Sequence, residues 1–338
     1  MSRIFVHGLG TVLPGGWGLP AMRTVLGQPC PLPTQSLPRP GWANPLRVRT
    51  IQPPATKLPF LAHARLRRAS PMAHYAVGAG LEAIGNDASL IASGQLRLGI
   101  LVCTMTGGIS YSRRFYEEVL RDPAMASPMV FPETVFNAPA SHLAAYLGIS
   151  TVNYTLVGDA GTFLQGLVVA AQWLEDNFAD ACVVIGAEEL DWTAADALRL
   201  FERRTIYTAG AGALYVKKEL PASTPVELAA VTDSFAAPRT AGRIAAAKKM
   251  RSQLPASAPN ELLCSSECEN PAWTGWTGGH LTLHTILGEA FAASAAWQCV
   301  AACDALQRCQ YEAANVSITG AGRQTIGARF VKPTFNEN

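Results

Sequence analysis

The stretch VNYTLVGDAGT at residues 152–162, followed after an apolar run by DACVVIGAE at residues 180–188, decides how this chain folds. Residues 152–157 are strand-like and end at a Gly-Asp-Ala-Gly turn. Residues 163–174 are apolar almost all round, which is typical of a helix buried on most of its faces. Residues 181–185 are strand-like again. The order strand, turn, buried helix, strand therefore predicts an α/β protein.

The buried helix is expected to begin at the turn that carries Ala160. Thr162, with Gln165 three residues later, fits a capping box. Asp159, three residues before Thr162, is an alternative cap. The positive end of the helix would then point at position 160. Such a place favours negative charge that develops on a bound substrate.

Strand-like and helical patterns alternate through the rest of the chain, which supports a large sheet flanked by helices. The helical patterns cover residues 71–84, 142–147, 163–177, 194–201, 241–254 and 287–308. The strand-like runs are residues 3–6, 98–103, 152–157, 181–185, 213–216, 226–231, 261–264, 316–319 and 326–331.

Composition indicates a folded protein without a polyanionic partner. The chain has 338 residues, 49% of them hydrophobic, so it can bury a sizeable core. Its net charge of +2 is mild, and no basic stretch is interleaved with stacking aromatics, which argues against nucleic acid as the main partner. There is no signal-peptide pattern and no long uninterrupted apolar run. We expect a cytoplasmic protein with no membrane span.

The eight cysteines are scattered, without a CxxC pair, and are predicted to be reduced thiols. Two pairs have a loose metal-like spacing, Cys264 with Cys268 and Cys299 with Cys303. Zinc sites need tighter pairs with His or Cys partners at defined distances. We therefore expect no structural metal.

Proline-rich stretches indicate loops. Residues 29–59 hold many prolines with little periodicity and are predicted to form an irregular surface excursion, either a partner-contacting loop or a solvated connection. A second break at residues 220–225 separates two αβ halves.

Four further motifs accompany the opening stretch, in order along the chain. They are RIFVHGLGTVLPGG at residues 3–16, RASPMAHYAV at 68–77, FPETVFNAPASHLAAYLG at 131–148 and VSITGAGRQTIGARF at 316–330. Together with the opening stretch they resemble the β-ketoacyl synthases over nearly the whole chain. The first matches that family's opening strand and glycine turn, and the last matches its glycine-rich hairpin.

This resemblance implies a thiolase-like, layered αβαβα fold made of two similar halves, residues 1–220 with the loop at 29–59, and residues 221–338. It also places the family's nucleophilic cysteine at Ala160. A methyl group cannot form the thioester through which condensation proceeds.

The resemblance places both catalytic histidines of the family at changed positions. The first falls at Ser265 or Ser266, and Ser266 is taken as the vestigial position. The second falls at Thr285, one residue after His284, while His280 occupies the place of the family's lysine. His284 could be recruited by a one-residue slip, or His280 and His284 are ordinary histidines near a helix start.

Such a chain resembles the chain length factors of type II polyketide systems, in particular those paired with synthases that make aryl polyenes. The implied function is a non-catalytic subunit that pairs with an active β-ketoacyl synthase, stabilises it and shapes the acyl tunnel that limits chain length. The implied partners are that synthase in a heterodimer, an acyl carrier protein and the growing acyl chain. No cofactor is implied.

The resemblance also suggests where substrate and carrier protein meet the chain, although each set has a plainer interpretation as core or as solvated surface. The tunnel candidates are large apolar or aromatic residues, with Phe115, Met129 and Phe136 foremost, then Met105, Tyr111, Phe131 and Val135. The carrier-docking candidates are basic residues, Arg113 with Arg114 and Lys248 with Lys249 and Arg251.

An alternative function stays open, an acyltransferase or priming decarboxylase of the same fold that uses His284 and a nucleophile other than cysteine. Asp159, Thr162, Ser265 and Ser266 are the candidates by chemistry. A hydroxyl needs a nearby base that a third group orients.

Overall fold

The computed structural model describes residues 3–28, 30–200, 203, 205–237, 240–255, 258–267, 270–322 and 324–333. Its α-helices are α1 Leu19–Leu26, α2 Pro71–Ile84, α3 Ala88–Ala92, α4 Ile109–Arg121, α5 Ala138–Leu147, α6 Thr162–Glu175, α7 Trp192–Arg199, α8 Thr240–Ser252, α9 Leu283–Leu287 and α10 Phe291–Gln307. Its strands are β1 Phe5–Leu13, β2 Gly16–Trp17, β3 Gln35–Leu37, β4 Leu46–Arg49, β5 Leu98–Thr104, β6 Asn153–Val157, β7 Ala181–Glu188, β8 Tyr207–Thr208, β9 Gly210–Lys217, β10 Glu227–Val231, β11 Phe235–Ala236, β12 Glu261–Ser265, β13 Gly279–Leu281, β14 Ala313–Thr319 and β15 Gln324–Val331.

Two sets of five strands repeat one topology. The first set runs β6-β5-β7-β9-β1 across the sheet and the second runs β13-β12-β14-β15-β10. In the first set β9, the last of its strands along the chain, lies between β1 and β7 and is antiparallel to both. In the second set β15 lies in the same way between β10 and β14. The other neighbours within each set are parallel. The prediction of two similar halves is confirmed by this repeat. The domain boundary after Leu220 stays a prediction.

The helices complete the layers. Helices α6 and α10 pack between the two strand sets. Helix α10 contacts β7 and β9 of one set and β12 and β14 of the other, and α6 contacts β5 and β7 as well as β10 and β15. Helices α2 and α5 cover the outer face of the first set, and α8 covers the second. Each of the first sixteen residues of α10 is buried, as expected for a helix between two sheets. The layered αβαβα fold is therefore confirmed.

Close packing of these layers depends on glycine. A Cβ atom at Gly10 of β1 would overlap the carbonyl oxygen of Ala79 in α2. Because the backbones of strand and helix touch there, no larger residue fits without moving one of them.

Several sequence predictions need correction. One helix over residues 287–308 is wrong, because Gly288, with φ of 95°, ends α9 before α10 begins at Phe291. The proline-rich segment 29–59 is not wholly irregular, since it contains β3 and β4, which form a small sheet with β8. Helices α1 and α4 were not predicted, and α4 has no buried side chain.

None of the described helices combines the length and apolar character that a membrane crossing requires.

Candidate functional site

The turn that carries Ala160 lies between β6 and α6, as predicted. The Gly158 N–H donates to the Thr104 carbonyl (3.0 Å), and the Thr162 N–H donates to the Asp159 carbonyl (2.8 Å). Ala160 is buried, with 5% of its surface exposed. The predicted capping box is wrong, because Thr162 is itself the first helical residue and no side chain caps the helix.

The Asp159 side chain instead binds the hairpin between β14 and β15. Its Oδ1 accepts hydrogen bonds from the N–H groups of Ala160 (2.8 Å) and Ala321 (3.0 Å). Its Oδ2 accepts one from the Gly322 N–H (2.5 Å). The carboxylate therefore joins the start of α6 to a loop that is distant in sequence, and it is not available as a nucleophile in this arrangement.

Ser266 follows the end of β12 and is bound to β14. Its N–H donates to the Ser317 carbonyl (3.0 Å), and its Oγ accepts from the Thr319 N–H (2.7 Å). Because the hydroxyl already satisfies a backbone donor and is hydrogen-bonded to no histidine among the described residues, Ser266 lacks the base that an activated serine needs.

Ser265, its neighbour, does contact a histidine. Its Oγ lies 2.8 Å from Nε2 of His280 and donates to the Glu267 carbonyl at 2.6 Å. The hydroxyl proton therefore points at a carbonyl, and the imidazole serves as donor to the serine oxygen. Burial lowers the pKa of His280, which keeps the ring neutral at pH 7.

His284 lies in α9 and lines a different cavity from His280. This cavity, which we call the site cavity, has a volume of about 470 Å³ and is lined by His284, Ser266, Glu289, Phe291, Ala321 and neighbouring residues. Burial lowers the pKa of His284, and its buried Nδ1 has no hydrogen-bond partner among the described residues. The structure thus places His284 and Ser266 around one cavity and His280 and Ser265 around another.

Glu289 is a site residue that sequence reasoning missed. Its Oε1 accepts from the Phe291 N–H (2.7 Å). Burial, together with the negative charges of Asp159 and Glu188, raises the pKa of Glu289 to about 7, against hydrogen bonds that lower it. Phe291, two residues after Glu289, has φ of 43°, a strained value for a residue with a side chain. The only signal in the sequence is a single acid in the apolar run LGEAFAA.

No thiol replaces the missing nucleophile among the described residues of the site cavity. Cys264 lies in β12, is fully buried, and has its pKa raised to about 12 by burial. Cys268 falls outside the described residues. No group of three or more His, Cys, Asp or Glu side chains in the described ranges could hold a metal ion.

The predicted tunnel residues lie on or near the surface of the isolated chain. Met129 is 61% exposed and Phe136 is 44% exposed, while Phe115 is half-buried with its ring centroid 5.4 Å from that of Phe131. Phe136 rests on Gly107, two residues after the half-buried Met105. The tunnel assignment stays a prediction.

The predicted docking residues differ in how free their charges are. Arg113 pairs with Asp191 (2.8 Å) and Glu117 (2.9 Å), and Arg114 pairs with Glu118 (3.1 Å). Arg251 stacks over Trp273 and donates to backbone carbonyls, whereas Lys248 and Lys249 are exposed on α8. Carrier docking also stays a prediction.

Comparison with known proteins gives a likeness of structure alone. No protein-family model and no curated protein sequence matches the chain. A chain of the ishigamide ketosynthase/chain length factor superimposes with a TM-score of 0.78 at 12% identity, covering 98% of this chain and 100% of that one. A chain from a ketosynthase in complex with its chain length factor from Xenorhabdus doucetiae gives 0.74 at 14% identity, covering 98% of each. A β-ketoacyl synthase from Burkholderia phymatum gives 0.77 at 13%, covering 99% of this chain and all of that one.

Proposed function

We propose that this chain is a non-catalytic chain length factor, which pairs with an active β-ketoacyl synthase and shapes the acyl tunnel of the pair. It has the thiolase-like fold of the ketosynthases and chain length factors with which it superimposes. The observation that carries the proposal is Ala160, a methyl group at the turn where the strand-turn-helix scaffold presents a nucleophile. Cleavage of a thioester by covalent catalysis needs a group there that can attack a carbonyl carbon.

The other polar groups, at the turn that carries Ala160 and around the site cavity, support the same conclusion. The Ser266 hydroxyl is bound to Thr319, and the Asp159 carboxylate is bound to three N–H groups. The pKa of His284 is lowered by burial, but among the described residues no hydroxyl or thiol side chain is hydrogen-bonded to its ring. The cavity thus retains polar groups without a nucleophile and base in contact.

The surface of the isolated chain indicates where the synthase would bind. Strand β6 is one of the two edge strands of the large sheet among the described strands, and Tyr154 and Val157 on it are 56% and 53% exposed. Seven of the sixteen large hydrophobic side chains that are exposed in the described chain lie between Tyr116 and Phe136. We call residues 116–136 the apolar segment. An open edge and a concentration of exposed apolar side chains are features of an interaction surface.

Pairing can be tested with two exposed phenylalanines. Phe131 is 53% exposed within the apolar segment, and Phe178 is 63% exposed outside it. The chain is purified with a β-ketoacyl synthase of the same organism that carries the cysteine and both histidines, and the Kd is measured by titration. We expect Phe131→Glu to weaken pairing at least about tenfold, because a charge would be buried without a partner. Phe178→Glu is the control and should pair like the unmodified chain. Equal affinity of both variants for the synthase would show that the apolar segment lies outside the interface.

Inactivity is tested on the isolated chain. We expect the isolated chain neither to condense malonyl-loaded with acyl-loaded carrier protein nor to become covalently labelled by an acyl thioester. Both are measured by intact-mass spectrometry. The pair should do both, with the label on the synthase. A stable acyl adduct on the isolated chain would overturn the proposal in favour of the acyltransferase alternative.

For chain length, we propose that Phe115, Met129, Phe136 and Met105 limit the tunnel once the partner covers them. Because a close-packed tunnel admits a further two-carbon unit only where there is room, Phe136→Ala should lengthen the product by at least one unit. Products are measured by mass spectrometry of the carrier-bound chain. Phe178→Ala serves as the control, and unchanged product length in Phe136→Ala would exclude Phe136 from the tunnel wall.

For the carrier protein, we propose docking at the basic residues of α8 rather than at Arg113 and Arg114. The charges of Arg113 and Arg114 are neutralised by their own acidic partners, while Lys248 and Lys249 face solvent. Reversal of both lysine charges should slow elongation severalfold at low salt and by less at high salt.

We also propose that the pair of this chain with its synthase acts in the cytoplasm. The type II context that we propose for it is an aryl polyene system.

A further inference from the structure

One carboxylate oxygen in this chain accepts N–H groups from two segments that are distant in sequence. Asp159 Oδ1 lies 2.8 Å from the Ala160 nitrogen and 3.0 Å from the Ala321 nitrogen. The first donor precedes α6 and the second lies in the hairpin between β14 and β15. Two backbone donors at about 2.7–3.1 Å from one negatively charged oxygen, beside a helix N-terminus, are the geometry of an oxyanion hole.

The pocket is shaped around this carboxylate. A Cβ atom at Gly320 would overlap both carboxylate oxygens of Asp159, and one at Gly322 would press on Oδ2. Both hairpin glycines therefore leave the space that the side chain fills. The same hairpin residues, Gly320 and Ala321, line the site cavity.

An ordinary helix cap does not explain these contacts. A capping aspartate accepts from the second or third N–H of its helix, whereas α6 has no side-chain cap. Asp159 accepts instead from the turn residue Ala160 and from Ala321 and Gly322 across the site.

We infer that the Asp159 carboxylate is a built-in anion that fills the chain's oxyanion pocket and closes it to thioester carbonyls. Besides a nucleophile, acyl transfer needs donors that stabilise negative charge on the carbonyl oxygen. In this chain the Asp159 carboxylate already binds those two donors, the N–H groups of Ala160 and Ala321. Asp159 is then a positioning residue, which also fixes the hairpin against the start of α6.

The test separates thiol reactivity from oxyanion stabilisation. Ala160→Cys supplies a thiolate, which is exposed either to iodoacetamide or to S-phenyl thioacetate. With iodoacetamide the sulfur displaces iodide, and no oxyanion forms. With the thioester, the sulfur attacks the carbonyl carbon, the carbonyl pair moves to oxygen, and its return expels thiophenolate and leaves an acetylated chain. The ratio of acylation to alkylation rates therefore reports the oxyanion pocket alone.

Ala160→Cys is compared with the double variants that add Asp159→Ala or Asp159→Asn. Asp159→Ala opens the pocket and should raise the ratio about 100-fold, the scale of one oxyanion donor. Asp159→Asn removes the charge but keeps an oxygen that accepts both N–H groups. It should speed alkylation and acylation alike and leave the ratio within about threefold of the parent. Equal ratios in all three proteins would overturn the inference.

A second measurement uses the chain with Ala160 intact, in case the double variant does not fold. Acetate is titrated into protein carrying ¹⁵N-labelled alanine and glycine. The amide signals of Ala160, Ala321 and Gly322 should stay fixed in the unmodified chain and shift saturably in Asp159→Ala or, if that variant is unfolded, in Asp159→Ser. Saturable shifts in the unmodified chain would show an open pocket and refute the inference. Both tests use the isolated chain, so their failure leaves the proposed pairing untouched, and failure of pairing leaves them valid.

Discussion

Glu188, at the end of β7, gives the prediction with the clearest magnitude. Its side chain is fully buried, and its carboxylate accepts from the Met105 N–H (2.5 Å) and from the N–H and hydroxyl of Thr106 (3.0 and 2.7 Å). Burial raises its pKa from 4.5 to about 7, although these hydrogen bonds oppose the rise. The protonated acid therefore stabilises the fold below pH 4.5, and this contribution is lost as the pH rises through about 7.

The difference between the two pKa values, at about 1.4 kcal/mol for each pH unit, amounts to roughly 3 kcal/mol of unfolding free energy lost between pH 5 and pH 9. Glu188→Gln cannot ionise and removes this dependence. The amide oxygen keeps the hydrogen bonds from Thr106 when the amide nitrogen takes the other position, where it faces the Met105 N–H at a cost of about 1 kcal/mol at every pH. We expect the variant to be less stable than the unmodified chain at pH 5 by about 1 kcal/mol and more stable at pH 9 by about 2 kcal/mol.

The assay is urea unfolding followed by tryptophan fluorescence at several pH values between 5 and 9. Glu133→Gln is the matched control, since Glu133 is buried too. Burial acts to raise its pKa, but hydrogen bonds from His142 (2.7 Å) and the Ser70 N–H (2.8 Å) outweigh burial and lower it. Its ionised form stabilises the fold near neutral pH, so Glu133→Gln should destabilise most there. Parallel curves for Glu188→Gln and the unmodified chain would refute the reasoning.

Ala160→Cys alone should leave the condensation rate of the pair unchanged within about twofold, measured by product formation, because Asp159 fills the proposed oxyanion pocket and, among the described residues, no histidine is hydrogen-bonded at the turn that carries position 160. Arg329→Met should lower the free energy of unfolding by about 3 kcal/mol, because it strands the buried carboxylate of Glu261 that Arg329 pairs with at 2.7 Å, and adding Glu261→Leu should recover most of the loss in urea unfolding. Gly10→Ala should prevent folding or cost more than about 3 kcal/mol by thermal unfolding, whereas Gly27→Ala, with φ of −79° and ordinary contacts, should cost little.

The fold could be predicted from the sequence where the signal is local. Strand β6, the turn at Ala160 and the apolar helix α6 follow from neighbouring residues, because apolar periodicity and glycine punctuation act within one segment. Helix α4 could not be predicted in the same way. None of its side chains is buried, and its ion pair between Arg113 and Asp191 joins residues that are distant in sequence.

The site was predicted only as a set of missing groups. Ala160, Ser266 and His284 follow from motif order, and the structure places Ser266 and His284 around one cavity. The role of Asp159 could not be found, because its hydrogen-bond partners Ala321 and Gly322 lie in the other half of the chain. Contacts of that kind are fixed by how the two halves pack, which no local pattern encodes.

Charge explains why a thiol introduced at position 160 would react slowly. Condensation through a thioester needs a thiolate and then a negative oxygen at one place, and both are favoured by positive potential. Here Asp159 lies beside Ala160, and the pKa of Glu289, raised mainly by burial, is raised further by the negative charges of Asp159 and Glu188. A thiolate at position 160 would add another negative charge to this group of acids, which raises its pKa and slows its attack. A chain that only pairs with a synthase tolerates such a cluster, because nothing at the site has to carry charge during a reaction.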